Sequence, residues 1–139
     1  MAFKDIYHKT VIDALDKDDW TITHDPFRIG VGKTRVEMDL GAERLISAEK
    51  GIRKIVVEIK SFIGRSPVKD MQQALGQYKM YEHVLLEENI ERELYVAVPL
   101  RAYETVFQDD LGQILLKNNL LRLLVFDENR KVVVEWIPN

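Results

Sequence analysis

The stretch Lys54-Ile-Val-Val-Glu-Ile-Lys-Ser-Phe62 constrains this chain most. β-Branched residues surround a carboxylate and a lysine two positions apart, which predicts a mostly buried strand. Side chains alternate across a strand, so Ile55, Val57 and Ile59 share one face and Val56, Glu58 and Lys60 the other. Charges on a core-like strand are costly unless they are paired or have a task. Taken alone, Glu58 and Lys60 would decorate the solvent face of an edge strand. Their neighbours in the chain decide.

Upstream, Ile6, Val11, Ala14 and Leu15 recur at near-helical spacing and predict a helix from about Asp5 to Asp16. Trp20 to His24 alternates as a short strand and is stopped by Asp25-Pro26. Arg28–Val31 and Arg35–Leu40 are two further strand candidates around the Gly30-Val-Gly32-Lys33 turn. Leu45–Glu49 is a fourth, joined through Lys50-Gly51 to Lys54–Phe62. Downstream, Ser66 is placed to cap a helix, Pro67 suits its first position and Asp70 its positive end. That helix is expected to reach about Leu86, using Val68, Met71, Leu75, Tyr78 and Leu85 as apolar positions. Leu94–Val98 is a buried strand ended by Pro99. Short helices are expected near Ala102–Val106 and Leu111–Leu116. Leu121–Phe126 and Lys131–Ile137 form a final hairpin about Asp127-Glu128-Asn129. The sum is an α/β (α+β) fold on one mixed sheet, in a single domain over residues 1–139.

Composition narrows the function classes. A chain 46% apolar and 31% charged is an ordinary globular protein rather than a disordered or membrane one. No apolar run approaches the roughly 20 residues that span a bilayer. Met1 to His8 lacks the apolar stretch of a signal peptide. The absence of cysteine excludes disulfides and thiolate metal sites. A cytoplasmic protein is expected. With a net charge of −3, any nucleic-acid contact must use a local patch, a metal ion or a partner.

Glu58 and Lys60 lie about 7 Å apart along the strand and point the same way. Hard divalent cations take carboxylate oxygens and keep waters, so Glu58 with a second acid suits Mg²⁺. Lys60 would then orient or help deprotonate a water, or offset phosphate charge. Asp39, one hairpin upstream, is the natural second acid, with Glu43 and Glu49 as rivals. Gln77 and Tyr81 stand at i and i+4 on one helical face, where an amide and a phenol meet a phosphate or a bound water.

An acid, then Glu-x-Lys on a strand, then a helix with Gln-Tyr-x-x-Tyr resembles the PD-(D/E)xK nuclease superfamily in its RecB-type branch. That branch often carries a histidine on the first helix, where His8 stands. His24 and His83 match nothing in it and are expected to be structural. A second likeness covers nearly the whole chain. Asp5-Ile-Tyr-His8, Trp20-Thr-Ile-Thr-His-Asp-Pro26, Asp39-Leu-Gly-Ala-Glu-Arg44, Val57-Glu-Ile-Lys-Ser-Phe62 and Gln73-Ala-Leu-Gly-Gln-Tyr78 resemble the cyanobacterial XisH family, the fdxN-element excision controlling factors. So do Leu123-Leu-Val-Phe-Asp127 and the Trp136-Ile-Pro138 ending.

The resemblance implies a restriction endonuclease-like core and a role in programmed removal of a DNA element. It also implies an XisI-type companion protein and, indirectly, a site-specific recombinase. Asp39 and Glu58, with His8, would hold Mg²⁺ or Mn²⁺. Lys60 would act on water, and Gln77 and Tyr81 would orient the lysine or a phosphate. Met38 replaces the proline of the superfamily motif, and Glu58 its more usual aspartate. No inserted domain is present to read bases, so specificity would come from a homodimer or a partner. The alternatives are a non-catalytic factor that binds DNA or the recombinase, and the toxic half of a two-protein pair.

Overall fold

A computed structural model describes residues 5–139 of the chain. Residues 1–4, part of the amino-terminal stretch read above for a signal segment, lie outside the described residues. The first helix, α1 (His8–Lys17), turns His8, Val11, Ala14 and Leu15 inward, as its spacing requires. β1 (Thr21–His24) follows, and then a two-stranded ribbon, β2 (Phe27–Val31) and β3 (Thr34–Met38), stands apart from the main sheet. β4 (Leu40–Ser47) and β5 (Gly51–Ile59) form the next hairpin, and the long helix α2 (Pro67–Glu87) follows. β6 (Glu93–Pro99), α3 (Leu100–Thr105), α4 (Asp110–Lys117), β7 (Leu123–Asp127) and β8 (Val132–Ile137) complete the order.

The main sheet runs β1-β4-β5-β6-β7-β8. Its middle, β5-β6-β7, is parallel, and the outer pairs β1-β4, β4-β5 and β7-β8 are antiparallel. The mixed α/β sheet read from the sequence is therefore observed. Helices cover both faces, so the middle strands are apolar throughout rather than alternating. One face packs Leu40, Ala42, Ile55, Val57, Ile59, Tyr95 and Phe126 against α1 and Trp20. The other packs Val56, Leu94, Val96, Val98, Leu123 and Val125 against α2, α3 and α4. Ile55, Val57 and Ile59 thus share a face opposite Val56, as expected from alternation.

Several strand boundaries differ from the sequence reading. The Leu45–Glu49 candidate is the outer end of a longer strand, Leu40–Ser47, in which Leu45 and Ile46 are exposed. Gly41 and Ala42 are weak strand formers, but register with Val56 and Ile55 overrides their propensity. Likewise, β3 ends at Met38 and β4 begins at Leu40, so Asp39 closes no strand and sits at the junction. Met38 and Leu40 are both buried and fix the backbone on either side of it. β5 stops at Ile59, short of the predicted Phe62, whose φ of 54° turns the chain out of the sheet. Gly41 is packed so closely by the Phe27 ring that a Cβ there would stand 2.7 Å from it. This contact seats the ribbon base on the sheet.

The start of α2 is built as its residues require. Ser66 Oγ accepts from Lys69 N at 3.2 Å, Pro67 occupies the first turn, and Asp70 Oδ2 accepts from Gly64 N at 3.1 Å. Arg101 Nη2 donates to the Ser61 carbonyl at 2.9 Å, so the β5–α2 loop is held at both ends. Met71, Ala74, Tyr78, Tyr81 and Leu85 then form the buried stripe of α2, with Val68 left exposed. No helix among the described residues is long and apolar enough to cross a membrane. Replacement of the cap, Ser66→Ala, is expected to lower stability by about 1 kcal/mol in urea unfolding. An unchanged midpoint would show that the cap contributes nothing.

Candidate functional site

The antiparallel register that pairs Leu40 with Val57 brings Asp39 beside Glu58, one step further along. The two carboxylates then bond crosswise. Glu58 Oε1 accepts from Asp39 N at 2.9 Å, and Asp39 Oδ2 accepts from Ile59 N at 2.7 Å. Each acid thus satisfies a backbone N–H at the point where β3 hands over to β4 and the β4–β5 pairing ends. Lys60 Nζ lies 3.9 Å from the second oxygen, Glu58 Oε2. Glu43 and Glu49 do not share this place: Glu43 pairs with Arg92 Nη2 at 3.3 Å, and Glu49 is exposed in the β4–β5 turn.

From α2, Gln77 Nε2 donates to Tyr81 Oη at 2.9 Å, and Tyr81 Oη donates to the Glu37 carbonyl at 3.2 Å. A carbonyl can only accept, so the phenol must donate there and the amide must donate to the phenol. This fixes the amide orientation and leaves Gln77 Oε1 as a buried acceptor without a partner. Such an oxygen suits an ammonium or a water rather than a phosphate oxygen.

His8 enters from α1. It is buried, its Nε2 meets Asp25 Oδ1 at 2.7 Å, and its Nδ1 is buried without a hydrogen-bond partner. His8, Asp39, Glu58, Lys60, Gln77 and Tyr81 all line one cleft of about 820 Å³. They come from α1, the β3–β4 junction, the end of β5 and α2. Among the described residues no three His, Asp or Glu side chains gather as a metal-ligand cluster. A metal would therefore rest on the Asp39–Glu58 pair, with His8 on the cleft wall.

Sequence reasoning missed Asp25, Arg28, Asp70 and Gln73, which line the same cleft. Gln73 was legible, since Gln73, Gln77 and Tyr81 form one stripe at steps of four. Asp25 was not, because only the turn after β1 brings it to His8. His24 and His83 stay outside the cleft. His24 packs edge-on to Phe27 at 4.6 Å between ring centres, and burial holds its pKa below the usual value.

Burial, and next the charge of Asp39, push the Glu58 carboxyl up to about 8, against a smaller opposing effect of Lys60. Burial and the charge of Glu58 also raise Tyr81. The pair therefore carries more negative charge than its surroundings neutralise, and near neutral pH it holds a proton. Hard oxygen donors fixed by the main chain are of the kind a divalent cation takes, with Lys60 the cation already beside them.

Comparison with known proteins places the chain. A sequence model described as XisH protein matches residues 1–134. The chain belongs to the XisH family. An XisH family protein from Nostoc punctiforme PCC 73102 is 39% identical, with a TM-score of 0.84 over 96% of this chain and 99% of that one. An fdxN element excision controlling factor protein from Anabaena variabilis is 38% identical, with the same TM-score and coverage. No curated protein matches this XisH chain.

The raised Glu58 pKa has a testable consequence for the metal-free protein. The folded state keeps the proton up to about 8, whereas the unfolded chain releases it near 4.5. Between those values unfolding releases a proton, so stability is full below the lower value and falls as pH rises toward the upper one. Glu58→Gln retains an acceptor for Asp39 N and cannot ionise. In EDTA it should match the wild type near pH 4.5 and exceed it by about 1–3 kcal/mol near pH 8. Parallel stability curves would contradict the shift.

Proposed function

We propose that this XisH protein is a divalent-metal-dependent DNA endonuclease of PD-(D/E)xK type, with a restriction endonuclease-like core, that acts in programmed excision of a DNA element. The crosswise Asp39–Glu58 pair with Lys60 beside it carries the reading, because neutral side chains could satisfy the same two N–H groups, whereas a buried Glu58 beside a half-buried Asp39 adds charge that Lys60 only partly offsets. The name of the Anabaena variabilis relative, an excision controlling factor, supports the DNA context.

In this reading Asp39 and Glu58, with His8 at the wall, hold Mg²⁺ or Mn²⁺. When bound, the cation supplies a more acidic water and positive charge against the developing phosphate charge. Lys60 Nζ, as an ammonium beside Glu58, would position that water and offset charge on the phosphate. Gln77 Oε1, held by Tyr81 and the Glu37 carbonyl, orients the ammonium. Phosphodiester hydrolysis is the reaction. An XisI-type companion, or a second copy of the chain, supplies the sequence specificity that the cleft residues do not.

Purified protein with Mg²⁺ or Mn²⁺, alone and with its companion, is expected to nick or cut duplex DNA. Glu58→Ala and Lys60→Ala should each lower the rate at least about 100-fold with the fold retained by circular dichroism. A wild type inert on supercoiled, linear and single-stranded DNA under all these conditions would overturn catalysis.

A further inference from the structure

The β2–β3 ribbon has two unlike faces. Phe27, Ile29 and Met38 are buried on one, with Val31 and Val36 partly so, all packed on the α2 side of the core. The other is exposed and carries Arg28 opposite Glu37, then Gly30 opposite Arg35, with Lys33 in the turn beyond. Residues 27–38 thus hold three cations and one anion in a chain whose net charge is −3. Arg28 spends its Nε on Glu37 Oε1 at 3.0 Å, in an exposed pair that contributes little to stability.

Gly30 is the unexplained residue. Its φ lies outside the left-handed region, and a Cβ added there would meet nothing within 4 Å. Neither backbone nor packing requires a glycine. A bare strand segment on an exposed cationic face is what a close-approaching ligand backbone needs. The row also has a direction. Arg28 and Glu37 line the cleft, and Asp39 follows the last residue of the ribbon directly. Arg35 and Lys33 lie farther out, at steps of about 7 Å along the ribbon. A five-residue ribbon is about 17 Å long. Two-stranded ribbons fit the major groove, which is about 12 Å wide.

We propose that the exposed face of the β2–β3 ribbon, Arg28, Gly30, Lys33 and Arg35, is a duplex-DNA docking surface that tracks the phosphate backbone and delivers it to the Asp39–Glu58 cleft. The proposal rests on the nuclease reading and adds to it the route by which DNA reaches the site. It also accounts for DNA binding by an acidic chain, since the contact charge is local.

The test is fluorescence anisotropy of the whole chain on a fluorescein-labelled 20-base-pair duplex, with Ca²⁺ as the cation, across a salt series. Lys33→Ala/Arg35→Ala should weaken binding at least about tenfold near 0.1 M salt and reduce the salt slope by about 2. Gly30→Val should fold with an equal or higher Tm, because a β-branched residue suits an exposed strand, and still bind more weakly. If both variants bind with wild-type affinity and slope, the ribbon proposal is overturned while DNA as the substrate stands. If the wild type binds no duplex even at 0.05 M salt, the ribbon proposal is overturned, and the cleavage assay above, which includes single-stranded DNA and the companion, decides the nuclease reading separately.

Discussion

The reciprocal hydrogen bonds between Asp39 and Glu58 close the sheet where the ribbon departs from it. Two N–H groups, of Asp39 and Ile59, would otherwise lose partners in a buried place, and each side chain answers one of them. A neutral amide could accept either bond. Two carboxylates do so at the cost of a negative charge that burial disfavours, raising the Glu58 pKa, and that Lys60, 3.9 Å away, only partly offsets. The fold tolerates this because Met38, Leu40, Val57 and Ile59 fix the backbone on both sides. The cost is electrostatic, and in the proposed reading a bound cation would offset it.

The rest of the site is arranged around that pair. α2 is anchored by its cap and by Asp70, and its Gln77–Tyr81 stripe leaves one buried oxygen unpartnered. α1 brings His8 against Asp25, with one ring nitrogen unpartnered. Buried polar atoms without partners are rare in folded proteins, and here two of them stand on one cleft. The ribbon adds cations outside. Negative charge inside and positive charge at the rim is the division that the proposed metal site and DNA route would need.

Much of this was legible in the sequence, and the limits are physical. Local signals carried the elements: Ser66-Pro67 marked the start of α2, and the alternation within Lys54–Phe62 assigned its faces. Non-local register was harder. Leu45 and Ile46 read as the start of a separate strand but sit exposed at the outer end of β4, because Gly41 and Ala42, poor strand formers, hold the inner pairing. The parallel order of β5, β6 and β7 also needed the structure, since apolar runs do not state direction. At the site, the acids, lysine, glutamine and tyrosine were visible as residue types at family-like spacing. Their hydrogen-bond logic was not. Only the Glu37 carbonyl fixes which way Gln77 points, and only the chain turn at Asp25 supplies the partner of His8.

In the proposed reading the Asp39–Glu58 pair takes a divalent cation. Carbon-13 NMR titration of the Glu58 side-chain carboxyl, without metal and with saturating Mg²⁺ or Mg²⁺-like diamagnetic ions, tests it most directly. The expected result is a titration centred near 8 in the metal-free protein, moving well down into the ordinary carboxylate range when the cation is added. A metal-free titration already near the usual glutamate value, or one that the cation leaves unmoved, would contradict it.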